Sequence, residues 1–203
     1  MLFDASNNQN HEIPLNGGRL DYYPSFLSVE DAQRLMQQLI QEINWGSEKF
    51  VIFGKTYESP RLIAWYGEAG AHYSYSGIQH SPEPFTEILL QVKQRIEQLT
   101  GHAFNSVLLN WYRSGADSMG WHADDEKALG VNPVIASLSL GQTRNLRFRR
   151  KDNHRSSFHV SLQTGSLLLM SGELQHHWQH ALPKSKKPME SRINLTFRLI
   201  CSQ

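Results

Sequence analysis

Residues 121–126, WHADDE, bring one histidine and three carboxylates together in a short stretch. His122 and Asp124 lie two positions apart, and residues two apart on a strand point to the same side, so both could bind one metal ion. The alternative is a solvated acidic turn that contains a histidine. A third ligand could come from the histidine cluster that follows: His176, His177 and His180.

Two histidines and one carboxylate with open coordination positions form the facial triad of non-haem Fe(II) oxygenases. A lone His-x-Asp is weak evidence, since a histidine in a strand is more often packed or exposed than metal-bound. His180 follows Asp124 by 180 − 124 = 56 residues, and an arginine comes 192 − 180 = 12 residues later. The combination of the triad with this arginine is specific.

The segment 192–198, RINLTFR, has the alternation of a strand. One face is apolar, with Ile193, Leu195 and Phe197, and the other carries Arg192, Asn194, Thr196 and Arg198. Two inward arginines would be costly without an anion, and a guanidinium fork binds a carboxylate well. The alternative is that this polar face meets solvent. Asn110 and Tyr112 share a face in the same way, within NWYR.

These residues need a scaffold, and the periodicity predicts one of mixed α+β class. A helix follows Ser28, whose spacing to Asp31 resembles a capping box, and a second is predicted from about Pro82, capped by Ser81 and ended by Gly101. After Gly101 come seven short runs rich in β-branched and aromatic residues: FNSVLLNWY, VIASLSL, LRFRR, SFHVSL, GSLLLMS, HHWQHAL and RINLTFRLI. They predict a β-sandwich or jelly roll supported by the helices.

Length and composition restrict the class of protein. The 203 residues suit one domain, and the net charge of +1 excludes a strongly basic tail but not a local basic patch. Cys201 is the single cysteine, so a disulfide framework is excluded and a reducing compartment is favoured. No run of about 20 apolar residues and no signal peptide is present. We therefore predict a cytoplasmic protein, or a nuclear one in a eukaryote, without membrane contact.

The chain resembles the AlkB family of Fe(II)- and 2-oxoglutarate-dependent dioxygenases, closest to the members that repair alkylated DNA. The matching segments cover most of residues 50–200 in the family's order: SPRLIAWYGE, HYSYSG, TGHAFNSVLLNWY, GWHADDE, VIASLSLG, TGSLLLMSG, HHWQHALP and SRINLTFR. The resemblance implies a double-stranded β-helix (jelly roll) core with supporting N-terminal helices. We expect residues 1–25 to be a loosely held arm and 26–203 one domain, with a nucleotide-recognition lid around 46–80.

The resemblance also implies roles for residues of this chain. His122, Asp124 and His180 would hold Fe(II), and 2-oxoglutarate would bind Arg192 and Arg198, helped by Asn110, Tyr112 and Asn194. With O2, the cosubstrate would give succinate and CO2 while an N-methyl group on a damaged base is hydroxylated and lost as formaldehyde. The expected substrates are bases such as 1-methyladenine and 3-methylcytosine in DNA, and the expected state is a monomer.

Substrate contacts are predicted from the same resemblance, each beside a simpler interpretation. Asp125 would be the main contact to the cationic base, with Glu126 beside it as a second candidate or an ordinary turn carboxylate. Tyr73, Tyr75 and Ser76 in HYSYSG would line the base pocket, or form a half-buried strand. Phe53 would be the wedge of a hairpin inserted into duplex DNA, or part of a core strand. Phosphates would meet the basic segment 143–155, including Arg144, Arg147, Arg149 and Arg150, which could also be a solvated hairpin.

Alternative functions remain open at this point. The same chemistry could act on RNA or on a protein side chain. A non-catalytic nucleic-acid-binding module would have no use for the full set of metal and cosubstrate residues. A zinc hydrolase could use the same triad, but the paired inward arginines would have no obvious role in it.

Overall fold

The computed structural model describes residues 9–47, 49–52, 55–71, 73–75, 78–80 and 82–201. The strands are β1 His11–Ile13, β2 Arg19–Tyr23, β3 Lys49–Ile52, β4 Lys55–Glu58, β5 Leu62–Gly67, β6 Tyr73–Tyr75, β7 Ile78–His80, β8 Glu83–Pro84, β9 Ser106–Tyr112, β10 Met119–His122, β11 Ile135–Gly141, β12 Arg144–Arg150, β13 Ser157–Leu162, β14 Leu167–Ser171, β15 Trp178–Leu182 and β16 Arg192–Arg198. The helices are α1 Val29–Glu42, α2 Glu87–Thr100 and the short α3 Leu174–His177, with a 3-10 turn at Lys127–Leu129.

Two sheets form the core of the fold. The larger has eight strands in the order β1-β2-β14-β11-β16-β9-β5-β8, and the smaller has four in the order β10-β15-β12-β13. All pairs within them are antiparallel except β5 with β8. One apolar cluster combines side chains of both sheets, such as Leu168 and Phe148, and therefore lies between them. This arrangement confirms the predicted jelly-roll core.

The outer face of the large sheet is covered by α1 and α2. A second cluster joins Leu35 and Leu39 of α1 with Ile96 of α2 and with sheet residues such as Leu138 and Leu195. Both faces of the central strands are therefore removed from water, one by helices and the other by the small sheet. This explains why β16 can bury a polar face as well as an apolar one.

The caps of the helices explain where each begins and ends. Ser28 Oγ accepts a hydrogen bond from the Asp31 backbone N–H at 3.0 Å, as predicted for α1. Gly101 ends α2 with a left-handed φ of 72°. The predicted start of α2 at Pro82 is wrong, because the helix begins at Glu87 with Thr86 as its cap.

The wrong start of α2 has a backbone cause. The residue before a proline is disfavoured in the helical region, so Pro84 keeps Glu83 extended. Glu83 and Pro84 pair instead with β5 as a short parallel strand. Ser81, the predicted cap, lies outside the described residues.

The predicted loose arm, residues 1–25, is wrong for its second half. β2 pairs with β14 and β1 pairs with β2, so both extend the large sheet. Leu20 is fully buried, and Arg19 donates to Asp21, whose side chain is also buried. The two charged residues of this ion pair make the segment polar in composition, which is why the sequence did not indicate a strand here. Residues 1–8 lie outside the described part of the chain.

The seven strand predictions after Gly101 each correspond to an observed strand, with one adjustment. In HHWQHAL the strand begins at Trp178, because residues 174–177 form α3. β10, which carries the first candidate metal ligand, is an additional strand that periodicity alone did not predict. Among the described residues no helix has the length and apolar character needed to cross a membrane.

Candidate active site

Strand pairing brings the predicted metal ligands together. His122 at the end of β10 lies directly opposite His180 of β15, and the two ring centroids are 4.2 Å apart. Asp124 follows β10 by two residues, and its Oδ2 lies 3.6 Å from His180 Nε2. One ligand atom from each residue lies within 4.8 Å of the other two. The structure thus assembles the His122, Asp124 and His180 triad.

Neighbouring groups hold the triad in place. Arg198 Nη2 donates to Asp124 Oδ1 at 2.6 Å, and the Asp124 backbone N–H donates to the side-chain oxygen of the buried Gln175 at 2.9 Å. His122 Nδ1 lies 2.9 Å from the Gly120 carbonyl oxygen. A carbonyl only accepts, so the proton of a neutral His122 belongs on Nδ1, which leaves Nε2 with a lone pair for a metal.

The electrostatics favour the protonation states that bind a metal. Burial on its own would raise the pKa of Asp124, but the positive charge of Arg198 and the adjacent histidines outweigh it and hold that pKa below its ordinary value. Burial, together with the neighbouring His122, lowers the pKa of His180 to about 3. At neutral pH the site therefore presents a carboxylate and a neutral imidazole, as a divalent cation requires.

The triad also contains a buried oxygen without a hydrogen-bond partner in the described part of the chain, as expected of a metal ligand. Asp124 Oδ2 is buried and has no hydrogen-bond partner among the described residues. Such a carboxylate oxygen is costly unless a cation or a donor reaches it. Two imidazoles and one carboxylate, leaving the rest of the coordination sphere open, suit Fe(II). His122, Asp124 and His180 would hold that ion.

A cavity of about 370 Å³ adjoins the triad between the two sheets. Its lining includes the three candidate ligands and five residues predicted to bind the cosubstrate: Asn110, Tyr112, Arg192, Asn194 and Arg198. The register explains this convergence, since Arg192 pairs with Tyr112 and Asn194 pairs with Asn110 across β16 and β9. The alternative that this face meets solvent is wrong.

Arg192 is the deepest cation of the cavity. It is 2% exposed, its Nη2 donates to Ser139 Oγ at 2.9 Å, and its guanidinium carbon lies 5.3 Å from the Tyr112 ring centroid. Burial lowers its pKa to about 10, so it stays charged at neutral pH. Its Nε has no partner in the described part of the chain. An open guanidinium edge of this kind suits a carboxylate.

The two predicted asparagines have specific partners of their own. Asn194 Nδ2 donates to Ser137 Oγ and to the Leu138 carbonyl, at 2.8 and 3.0 Å. Asn110 Oδ1 accepts from Arg61 Nε at 2.5 Å. Ser137 and Arg61 also line the cavity, although no role was predicted for them. Arg61 stands in SPRLIAWYGE, a segment that supports the family resemblance, so the motif was visible but the role was not.

The two acidic residues after the triad lie in different environments. Asp125 is exposed, forms an ion pair with Lys151 at 2.8 Å, and is not among the residues that line the cavity. Glu126 does line it, and its buried Oε2 has no hydrogen-bond partner among the described residues. The geometry therefore favours Glu126 over Asp125 as the carboxylate that faces a substrate, which reverses the sequence prediction.

The predicted base pocket and wedge are only partly described. Tyr73 and Tyr75 lie on β6, which pairs with β7, and Ser76 lies outside the described residues. β3 and β4 form the antiparallel hairpin expected around the wedge, with Ile52 paired to Lys55. Phe53 itself lies outside the described residues, so its role stays a prediction.

The arginines of the predicted basic patch lie in different environments. Arg147 is exposed, and Arg149 is half-buried, with its guanidinium carbon 4.3 Å from the Trp121 ring centroid and two bonds to Gln179. Arg150 forms an ion pair with Asp152. Arg144 is only 3% exposed, so its predicted place on a phosphate-binding surface is wrong. Its position at an inward-facing site of β12, with Leu146 and Phe148, is the reason.

Comparison with known proteins supports the same family. The chain matches the model of the 2OG-Fe(II) oxygenase superfamily over residues 19–198. It is 41% identical over 196 residues to the human alpha-ketoglutarate-dependent dioxygenase alkB homolog 3, covering 92% of this chain and 68% of that protein. It is 38% identical over 198 residues to the bovine DNA oxidative demethylase ALKBH2, covering 93% and 71%.

A solved structure, that of OsALKBH1, agrees in fold. It matches with a TM-score of 0.63 at 17% identity, covering 93% of this chain and all of that one. The superfamily match includes every candidate ligand and cosubstrate residue, and the relatives extend the similarity over nearly the whole chain. The chain therefore belongs to the AlkB family of the 2OG-Fe(II) oxygenase superfamily.

Proposed function

We propose that the protein oxidatively demethylates N-alkylated bases in DNA, of the 1-methyladenine and 3-methylcytosine type. The observation that carries the proposal is a triad of candidate metal ligands, two of them buried, in the same cavity as a buried arginine whose Nε has no partner among the described residues. The names of relatives support the substrate, since ALKBH2 is a DNA oxidative demethylase. We further propose that the protein acts as a monomer in the cytoplasm, or in the nucleus of a eukaryote.

Fe(II) bound to the triad would supply the oxidising power, using O2 and 2-oxoglutarate, and the alkyl carbon would leave as formaldehyde. The residues of the chain provide position and protection. Arg192 and Tyr112 would bind the distal carboxylate of 2-oxoglutarate, and Arg198, which contacts Asp124, would bind the end nearest the metal. The apolar side chains of the cavity, such as Leu146 and Met170, would exclude bulk water.

Base recognition is proposed to depend on Glu126. Methylation at N1 of adenine or N3 of cytosine makes the base cationic and leaves its exocyclic amine as a donor. A carboxylate that faces a low-dielectric cavity attracts such a base more strongly than one in water. Glu126 has this position, whereas Asp125 is engaged by Lys151 at the surface.

DNA outside the cavity is proposed to meet the outer face of the small sheet. Arg147 and Arg149 project from that face, and Trp121 is 37% exposed beside Arg149. Guanidinium groups bind phosphates, and an exposed aromatic ring can stack on an unpaired base. Neither group distinguishes DNA from RNA, so the activity assay has to decide between the two nucleic acids.

The test is formaldehyde release from matched single- and double-stranded oligonucleotides that carry 1-methyladenine, with Fe(II), ascorbate and 2-oxoglutarate. The control variant is His122→Ala, which removes a ligand from the half-exposed side of the triad. Repair by the wild type and none by the variant would establish the reaction. If succinate forms but no base is repaired, the substrate assignment is wrong, and methylated RNA and proteins are assayed next.

The strand ratio in the same assay tests the hairpin formed by β3 and β4. Reaching a base within a duplex requires extruding it, and an apolar wedge can fill the resulting gap. We expect Phe53→Ala to lower activity on duplex more than on single strands. Equal loss on both would point to a role of Phe53 in folding.

A further inference from the structure

Arg144 is a buried cation that the proposed chemistry does not use. It begins β12, is 3% exposed, and is absent from the lining of the cavity. A buried charge is costly, so a cation in this position needs a structural or functional reason. Its sequence neighbours Arg147 and Arg149 project outward and supply none.

Three backbone carbonyls hold the Arg144 guanidinium. Nη2 donates to the Pro183 carbonyl at 2.8 Å and to the Asp117 carbonyl at 3.2 Å, and Nη1 donates to the Ser114 carbonyl at 3.3 Å. These acceptors lie on two loops, one that follows Tyr112 and one that follows β15. The contacts fix the guanidinium but leave its positive charge without a hydrogen-bonded counter-ion, since carbonyls are neutral.

Arg144 and the predicted cosubstrate ligand Arg192 both lie close to the ring of Tyr112. The Arg144 guanidinium carbon lies 5.9 Å from the Tyr112 ring centroid, and that of Arg192 lies 5.3 Å from the same centroid. Tyr112 is buried. Both cations are therefore within the range of a cation–π interaction with one phenol ring.

The two guanidinium groups also act on each other. The positive charge of Arg144 is one cause, after burial, of the lowered pKa of Arg192. Among the described residues neither arginine forms an ion pair with a carboxylate; Asp117, whose charge acts on Arg144, is hydrogen-bonded to Arg113. Two buried like charges without an ion-paired carboxylate are expensive, and a dianion bound at Arg192 would relieve the repulsion.

We propose that Arg144 is a positioning residue of the cosubstrate site: from behind Tyr112 it provides a second, fixed positive charge that favours a ligand with a distal carboxylate. The proposal rests on the assignment of 2-oxoglutarate to this cavity. It predicts that Arg144 contributes to affinity without touching the ligand. It also predicts that the contribution depends on the ligand's distal charge.

The test uses ligand binding without turnover. The dissociation constants of 2-oxoglutarate and of 2-oxopentanoate, which has the same chain length but no distal carboxylate, are measured by calorimetry and displacement on the Zn(II)-loaded protein. Arg144→Gln removes the charge and keeps a hydrogen-bonding amide, and Arg144→Lys keeps the charge. We expect Arg144→Gln to weaken 2-oxoglutarate binding about tenfold, the order of one partly buried unit charge, and to leave 2-oxopentanoate within about twofold.

Arg144→Lys is expected to stay within about threefold of the wild type for both ligands. Equal weakening of both ligands by Arg144→Gln, or no weakening of either, would overturn the proposal. If the wild type does not bind 2-oxoglutarate at all, the proposed function fails instead, so the two failures are distinguishable.

A second variant keeps the proposal testable if Arg144→Gln does not fold. Asp117→Asn removes the acid that partly offsets the Arg144 charge, while its backbone carbonyl can still accept from Arg144. We expect this change to tighten 2-oxoglutarate binding about threefold, the opposite direction to Arg144→Gln, with no change for 2-oxopentanoate. Weaker binding of 2-oxoglutarate by a folded Asp117→Asn protein would contradict the proposal.

Discussion

β16 and β12 have similar sequences, RINLTFR and RNLRFRR, but differ in where most of their arginines point. In β16 the arginines point between the two sheets, and Arg192 is buried in the cavity. In β12 the inward positions hold Leu146 and Phe148 beside the buried first residue Arg144, while Arg147 and Arg149 point outward. The alternation of residue types along a strand therefore shows which residues share a face, whereas the neighbours of the strand determine whether that face is excluded from water.

The largest expected effect comes from making the inward face of β16 apolar. Arg192→Met should weaken 2-oxoglutarate binding at least about 100-fold, because a ligand carboxylate would lose a buried charge-assisted partner. Methionine has a similar length, so the fold should tolerate it. The measurement is succinate formation against 2-oxoglutarate concentration, with thermal unfolding alongside.

The matched control is Arg147→Met on the outward face of β12, which should leave the KM for 2-oxoglutarate unchanged. If both variants gave the same KM, the contrast between the two strands would have no functional meaning.

The next effect separates the two carboxylates that follow the metal ligand. Glu126→Gln should lower kcat/KM for 1-methyladenine by about 10- to 100-fold, since the cavity loses the charge that pairs with a cationic base. Asp125→Asn should change it less than about threefold, because a surface ion pair contributes little. The two variants are compared in one formaldehyde assay.

Uncoupled 2-oxoglutarate turnover without DNA serves as the control and should be similar in both variants. A larger loss in Asp125→Asn would restore the original assignment of the substrate contact to that residue.

A smaller effect is expected from the outward face of β12. The double variant Arg147→Gln/Arg149→Gln should bind oligonucleotides about tenfold more weakly at low salt. Its slope of log K against log salt should be about 2 units shallower, one for each lost phosphate contact. Titrations at several salt concentrations measure this slope, and an unchanged slope would show that these arginines do not meet phosphates.

The smallest effect concerns β2, which lies between the edge strand β1 and β14 and carries an arginine and a carboxylate on one face. The hydrogen bond from Arg19 is the main reason that the pKa of Asp21 lies below its ordinary value. A lowered pKa in the folded state stabilises it at pH values above about 4, and this stabilisation is lost as the pH falls through the folded-state pKa.

The thermal midpoint of the wild type should therefore fall more steeply below pH 4 than that of Asp21→Asn. Unfolding followed by circular dichroism between pH 2 and 7 compares the two proteins. Parallel curves would mean that this ion pair contributes nothing to the pH dependence.

Much of the site was predictable because it follows short-range periodicity and a motif of known spacing. His122 and Asp124 are close in sequence, although Asp124 lies just beyond the end of β10, and the polar residues of β16 share a face whatever the remaining fold. Apart from the start of α2, which the local Pro84 shifts, the errors fell where distant parts of the chain decide the outcome. The strand at residues 19–23 is formed by pairing with β14, and Arg144 is buried by carbonyls from two loops far along the chain.

By itself the sequence determined the residue types of the triad, the alternation of β16, the caps at Ser28 and Gly101, and the resemblance to the AlkB family. Only the tertiary structure decided that Glu126 rather than Asp125 faces the cavity, that Arg61 contacts Asn110, and that Arg144 lies behind Tyr112. The physical reason is that local spacing sets the direction of a side chain relative to its own strand. Burial, charge and hydrogen bonding depend on what packs against that strand from elsewhere in the chain.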